Sequence, residues 1–308
     1  MTVLEIRNLS VFFSRYYNWF RKRTEACLNG LELSVGAGQL VAVIGSSGSG
    51  KSLLAHAVMG ILPRNAGWSG QMLYKGELLT PQLQQRLRGR ELALVPQSVS
   101  YLNPLMQVGK QVRMSGGGVR SRTELRSMFR RYGLESQVER MYPFQLSGGM
   151  MRRVLVSTAT LGGAELIIAD EPTSGLHAEL AQETVMRFRE LADEGSAVLL
   201  ITHDLESVLP YADAIAVLYG GTSIEVAPAH YFSGDGTMLR HPYSRALWTA
   251  LPRNEFTPPK GKPLVRPARS AAGCPYREYC ESASEACRSG QIPVRRVNEG
   301  WVRCIDAT

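Results

Sequence analysis

Eight residues constrain this chain more than any others: Gly45, Ser46, Ser47, Gly48, Ser49, Gly50, Lys51 and Ser52. They match G-x-x-x-x-G-K-[ST] in full. They also lie between a short, continuously apolar run, Leu40 to Ile44, and a stretch from Ser52 to Leu62 with helical apolar spacing. Such a run is expected to be a strand buried on both faces, as in a parallel sheet. Glycines let the backbone wrap an anion so that successive N–H groups point inward, and the following helix adds its positive dipole end. In this role Lys51 bridges the β- and γ-phosphates of a nucleotide and Ser52 ligates Mg²⁺.

The remaining composition narrows the class. With 308 residues, 44% hydrophobic and 20% charged, the chain can form one large domain or two small ones with a packed core. It is too apolar for a disordered chain and carries no low-complexity tract or internal repeat. Its longest apolar stretches, such as Leu40 to Ile44 and Ala197 to Ile201, are about five residues, against about 20 for a membrane-spanning helix. The opening MTVLEIRNLS lacks a signal peptide's basic start and long apolar run, so a cytoplasmic location is expected. Lys plus Arg exceeds Asp plus Glu by 35 − 27 = 8. The excess is compatible with nucleic acid, anionic lipid heads or a phosphate ligand. Nucleotide binding needs only a glycine loop and one lysine, so no nucleic-acid partner is expected.

Along the chain, period-two apolarity over Val3 to Ile6 and Leu31 to Val35 predicts β structure. Between these, Ser14 to Thr24 carries Tyr16, Tyr17, Trp19, Phe20 and four basic residues, which read as an aromatic, basic hairpin or loop. Residues 105–155 are expected to be mainly helical and basic. Strand signals return at Leu166 to Ala169, Val198 to Thr202 and Ile215 to Leu218, and their alternation with helical stretches predicts an α/β core with a parallel sheet. After about residue 228 half of the 16 prolines appear, so a largely irregular extension is expected, with one helix near Tyr243 to Ala250.

Strand ends deliver the other candidate groups to the sheet's carboxyl edge, where such folds bind ligands. Leu166 to Ala169 ends in Asp170 and Glu171: Asp170 is placed to organise Mg²⁺, and Glu171 to polarise the water attacking the γ-phosphate. Val198 to Ile201 ends in Thr202-His203-Asp204, putting His203 where it can touch the γ-phosphate or orient that water. Leu94-Val95-Pro96-Gln97 brings a glutamine, a neutral Mg²⁺ or water ligand, to the same edge.

Leu146-Ser147-Gly148-Gly149-Met150 offers a second set of N–H groups to an anion, about 20 residues before the acidic strand. A phosphate cradle, this second cradle and the acidic pair together resemble the ATP-binding cassette (ABC) ATPases. In that family the LSGG signature of one subunit closes over ATP held by the P-loop of another. The resemblance implies a P-loop NTPase (RecA-like) core with an antiparallel β subdomain and an inserted helical subdomain at about 98–155. It implies a nucleotide-binding domain over 1–228 and an irregular, cysteine-containing extension over 229–308. It makes Gln97 the glutamine loop, Asp170 the Walker B acid, Glu171 the catalytic glutamate, His203 the switch histidine, and Ser147, Gly148 and Gly149 the trans contacts to ATP. An aromatic residue near the first strand stacks on adenine, for which Phe13 is the first candidate, with Tyr16 and Tyr17 as rivals.

The subfamily is narrowed by Pro96-Gln97-Ser98-Val99-Ser100-Tyr101-Leu102-Asn103-Pro104, by His241-Pro242-Tyr243-Ser244-Arg245-Ala246-Leu247 before Leu251-Pro252, and by Gly273-Cys274-Pro275-Tyr276. These resemble ATPase subunits of dipeptide, oligopeptide and nickel importers. The resemblance implies a homologous ATPase partner, giving a heterodimer, two transmembrane permease subunits and an extracytoplasmic substrate-binding protein. The chain would lie peripherally on the cytoplasmic face of the inner or plasma membrane. The cargo would be a peptide, nickel or a metal chelate. One departure is Ser174-Gly175-Leu176-His177, where the family usually has aspartate at the last position, so the two ATP sites need not be equivalent. Alternatives are a non-transport cassette ATPase of DNA repair or translation, an iron-sensing regulatory ATPase, and an exporter ATPase.

Of five cysteines, Cys27 stands alone and Cys274, Cys280, Cys287 and Cys304 crowd the tail. Four thiolates can hold zinc or an iron–sulfur cluster, and the absence of tight C-x2-C pairs fits the larger group. Related importer ATPases with this tail imply [4Fe-4S], structural or redox-sensing, with Zn²⁺ as the alternative.

Overall fold

Alternating apolar residues build one sheet of this protein, and continuously apolar runs build the other. The computed structural model describes residues 1–18, 21–46, 48–115, 118–257 and 273–307, with the side chains of residues 15–23 outside that description. Ser47, Trp19, Phe20, Gly116 and Gly117, and the side chains of Tyr16 and Tyr17, therefore lie outside the described residues. β1 (Thr2–Asn18) and β2 (Arg21–Gly36) form a long antiparallel hairpin, paired from Thr2 opposite Gly36 to Asn18 opposite Arg21. β3 (Leu40–Gly45), buried at every position, leaves for the second sheet and feeds α1 (Lys51–Met59). β4 (Ala66–Tyr74) and β5 (Glu77–Leu78) complete the first sheet in the order β2-β1-β4-β5.

α2 (Pro81–Leu87) starts where the Thr80 hydroxyl accepts from the Leu83 N–H, and it leads to β6 (Leu92–Val95). A helical block follows: α3 (Val108–Arg113), α4 (Arg122–Arg131) and α5 (Gly148–Thr160). Ser121 and Glu124 cap α4 reciprocally, satisfying two of its free N–H groups. The segment expected to be mainly helical is thus a set of short helices and 3-10 turns. Its charged helix α4 buries only Leu125 and Phe129.

The chain then alternates as β7 (Leu166–Asp170), α6 (Ala178–Asp193), β8 (Ala197–Thr202), α7 (Leu205–Val208), β9 (Ala214–Tyr219) and β10 (Thr222–Pro228). Strands β9, β3, β8, β7 and β6 pair in parallel in that order. Alternate residues of each strand serve opposite layers. Leu40, Ala42 and Ile44 join the core shared with the helical block, while Val41 and Val43 join the core under the antiparallel sheet. Each fully buried Leu, Ile or Val contributes about 1.5–3 kcal/mol, so both faces of the central sheet are anchored. Among the described residues no helix is long and apolar enough to cross a membrane.

The tail is more ordered than its proline content predicts. After α8 (Pro242–Thr249), β11 (Arg295–Val297) and β12 (Gly300–Val302) form a hairpin around Asn298, whose φ of 51° is left-handed. β12 pairs with β10, Val302 opposite Glu225 and Trp301 opposite Val226, so the tail extends the core sheet. The turn asparagine and Gly300 were the local signal for this hairpin.

α8 is capped by His241, whose Nδ1 accepts from the Tyr243 N–H at 3.1 Å. The neutral ring therefore carries its proton on Nε2, which lies 3.8 Å from the Cys274 sulfur. Burial drives the His241 pKa from 6.5 down to about 3. The unfolded chain takes up this proton near pH 6.5 and the folded chain only near 3, so this stability contribution is lost as pH falls through that window. Urea unfolding is expected to show a lower midpoint at pH 5 than at pH 7, and His241→Asn is expected to reduce that difference. An identical pH dependence in the variant would contradict the assignment.

Candidate nucleotide site

The register of the parallel sheet assembles the site. Ile44 lies opposite Thr202, and Asp170 opposite Ile201, so the glycine loop, the acidic pair and His203 leave the sheet at one level. Within the loop, Lys51 Nζ donates to the carbonyls of Gly45 at 2.7 Å and Ser46 at 3.2 Å. It also stands 3.6 Å from Glu171 Oε1. Burial lowers the Lys51 pKa, and Glu171 and Asp170 oppose that shift. Gly50 has φ of 91°, and a Cβ there would sit 2.7 Å from Leu28 Cδ2 and 3.0 Å from the Cys27 carbonyl. Only glycine combines that conformation with that approach. Two loop hydroxyls, Ser46 Oγ and Ser49 Oγ, are buried with no partner among the described residues. Unmet donors beside helix α1's N-terminus are what an oxyanion would satisfy.

Asp170 ends β7 and accepts from the Ser52 hydroxyl at 3.1 Å. Burial raises its pKa, and that hydrogen bond offsets the shift in part. Both side chains are oxygen donors of the kind Mg²⁺ prefers. Glu171 adopts φ of 48°, a left-handed conformation that costs roughly 1–2 kcal/mol outside glycine. Its own N–H donates to the Ile201 carbonyl at 2.8 Å. The turn holds its carboxylate between Lys51 and His203, whose Nδ1 is 2.8 Å from Glu171 Oε2. Glu171 is 7% exposed, whereas the His203 side chain is 57% exposed. A nearly buried carboxylate flanked by an ammonium and a solvent-facing imidazole can accept a proton from an attacking water.

The other predicted residues sit apart from this cluster. Gln97 is exposed beyond β6. Ser147 caps α5, its hydroxyl accepting from the Met150 N–H at 3.3 Å, with Gly148 open beside it. Both glycines of the signature lie on the helical block, not at the chain's own glycine loop. Phe13 is half-buried in β1, opposite Glu25 on one side and Ala66 on the other. His177 is exposed just before α6 and its side chain makes no capping bond.

The sequence reasoning missed Arg152, on α5. Its guanidinium donates to the carbonyls of Gln97 at 2.6 Å, Pro96 at 3.3 Å and Ser174 at 3.2 Å. It is 7% exposed, and burial lowers its pKa. Arg152 thus ties the signature helix to the glutamine loop and to the loop after Glu171. Its position four residues beyond Gly148, on the same helical face, was the only local sign.

Three of the tail cysteines, Cys274, Cys287 and Cys304, are buried, and Cys280 is half-buried. Burial pushes the Cys274 thiol up to about 11, and the other three thiols add to the shift. The four therefore share one electrostatic neighbourhood. Among the described residues, however, no three His, Cys, Asp or Glu side chains converge to hold a metal ion. The donor set suits a thiolate-bound group, but the described arrangement does not fit one.

Arg152→Ala is expected to lower nucleoside-triphosphate turnover about tenfold or more, equivalent to losing about 1.4 kcal/mol or more of transition-state stabilisation. Nucleotide binding should be largely kept. Steady-state turnover alongside equilibrium binding checks this, and unchanged turnover would remove Arg152 from the machinery.

Comparison with known proteins agrees with this geometry. A sequence model of the family described as "ABC transporter" matches residues 28–174, and one described as "Oligopeptide/dipeptide transporter, C-terminal region" matches 224–287. Dipeptide transport ATP-binding protein DppD of Escherichia coli is 32% identical, covering 97% of this chain and 95% of that protein. Oligopeptide transport ATP-binding protein OppD of Haemophilus influenzae is 31% identical, covering 93% and 91%. A dimeric ATP-binding cassette solved in a post-hydrolysis state with ADP and Pi superposes with a TM-score of 0.63 at 22% identity, covering 73% of this chain and 98% of that one. That likeness shows the shared fold. The chain belongs to the ABC transporter family, as an ATP-binding and ATP-hydrolysing subunit of the oligopeptide/dipeptide importer type.

Proposed function

We propose that this chain powers uptake of a peptide through a membrane importer, with Glu171 as the group that activates water. The observation that carries this is the Glu171 carboxylate held between Lys51 and His203, beside the Ser52–Asp170 pair. Gly45 to Ser52 would wrap the phosphates, with Ser52, Asp170 and Gln97 as the Mg²⁺ ligands and Phe13 against the adenine. His203 would orient the attacking water and hold Glu171 in place.

Ser147, Gly148 and Gly149 project from the helical block, so they would complete the nucleotide site of a partner cassette rather than their own. This supports a pair of ATPase subunits with two composite sites, closed by ATP and released by hydrolysis. The partner would be a homologous subunit, giving a heterodimer, and His177 would make the two sites unequal. Residues 1–228 would form the motor, with its helical part at about 98–155, and 229–308 the importer-type extension. Exposed Tyr101 and Leu105, beyond the glutamine loop, would meet one of two permease subunits. A substrate-binding protein would deliver cargo on the far side, and the chain would sit on the membrane's cytoplasmic face. The names of the relatives favour peptide as cargo; nickel or a metal chelate is the second reading, resting on the tail motifs.

The four tail cysteines supply the donor set for a [4Fe-4S] cluster, or for Zn²⁺ in its place, and to hold either they would have to draw closer together than they stand in the described arrangement. Neither group enters the hydrolysis.

Glu171→Gln is expected to leave ATP bound and unhydrolysed and to abolish uptake in cells; normal uptake by that variant would overturn the transport reading. Anaerobically purified chain is expected to contain about four irons with equal acid-labile sulfide, as a cluster of that type requires. One zinc without sulfide would decide for the alternative, and neither metal nor sulfide would reject both.

A further inference from the structure

We infer that Arg303 positions the nucleotide loop and couples the tail cysteines to it. Arg303 leaves β12 directly before Cys304. Its N–H donates to the Ile224 carbonyl at 2.7 Å, continuing the pairing of tail and core sheet. Its side chain, 7% exposed, reaches across to the other sheet. Nη2 donates to the Gly30 carbonyl at 2.7 Å, and Nε to the Ser223 carbonyl at 3.2 Å. The nearest carboxylate, Glu32, lies 3.7 Å from Nη2 and is half-exposed. A buried guanidinium held chiefly by backbone carbonyls is costly to desolvate, and two neutral side chains could join these strands without that cost.

What Arg303 grips is the segment on which the glycine loop rests. Gly30 is left-handed with φ of 60°, and its N–H donates to the Ser10 hydroxyl at 3.0 Å. Two residues earlier, Leu28 is fully buried. Leu28 and the Cys27 carbonyl are the atoms that crowd Gly50, the residue before Lys51. A shift of the Gly30 carbonyl is therefore passed through two residues of β2 into the loop that holds Lys51. At the other end, Cys304 is 8% exposed and within charge range of Cys280 and Cys287. A change of bonding at that sulfur moves the residue next to Arg303. Arg303 is a positioning residue, acting on nucleotide affinity through Gly30 and Leu28.

The test is a double-mutant cycle on the full chain, reading Mg-ATP affinity by calorimetry for wild type, R303A, C304S and R303A/C304S. R303A is expected to weaken ATP binding about tenfold, with turnover at saturating ATP changed less than about twofold, and R303K to recover part of the affinity. C304S is expected to weaken binding in the wild-type background and to add nothing in the R303A background, because coupling between sites is reciprocal and runs through that residue. Unchanged affinity in folded R303A, or fully additive effects, would overturn the inference. If R303A does not fold, the same cycle with R303K decides by the same criterion. Lys51→Ala serves as control: ATP binding that survives it would instead count against the assignment of residues 45–52.

Discussion

Everything at the nucleotide site depends on the parallel pairing of β3 with β8 and of β8 with β7. Parallel neighbours keep their carboxyl ends at one level, so three separate segments deliver a glycine loop, a carboxylate pair and a histidine to one edge. Slipping β7 by one residue would turn Asp170 to the opposite face and aim Glu171 away from Lys51. The two apolar layers prevent this, because each face of the sheet has its own core to fill. Local strain at Glu171 persists for the same reason: its N–H is bonded to β8, and the strand cannot relax alone.

Three buried cations share a second constraint. Lys51, Arg152 and Arg303 each make their short hydrogen bonds to backbone carbonyls, and the ion pairs of Lys51 with Glu171 and of Arg303 with Glu32 are longer, at 3.6 and 3.7 Å. A carbonyl lends partial charge without a counterion that would neutralise the group. Lys51 thus keeps a charge to offer a phosphate, while Arg152 fixes the loops at Gln97 and Ser174, and Arg303 ties β2 to β10 through carbonyls that would otherwise lack these donors. Arg152 thereby joins the glutamine loop and the loop after Glu171 through one side chain.

Much of this was legible in the sequence. The glycine loop and the acidic pair each follow a short apolar run, and a run of that length has one sensible reading when a glycine turn or carboxylates end it. Leu40–Gly45, Leu166–Asp170 and Ala197–Thr202 consequently fall where the pattern puts them. Arg152 and Arg303 were not legible, because their partners lie 55 and 273 residues away and carbonyls leave no trace in residue type. The tail hairpin was hidden by the prolines before it: local composition dominated, although the pairing is decided by β10. The continuity of the helical block was overestimated, since its basic stretch resembles helix while α3 and α4 bury little beyond Val108, Val112, Leu125 and Phe129.

The hairpin of β11 and β12 has one more effect. Without it, β10 would be the margin of a six-stranded sheet and would offer a row of free backbone groups to any other chain. The hairpin replaces that margin with β11, three residues long, whose Arg295 and Arg296 are exposed. A short strand with adjacent positive charges is a poor template for another strand. The final residues of the chain therefore also guard its solubility, keeping neighbouring copies from joining edge to edge.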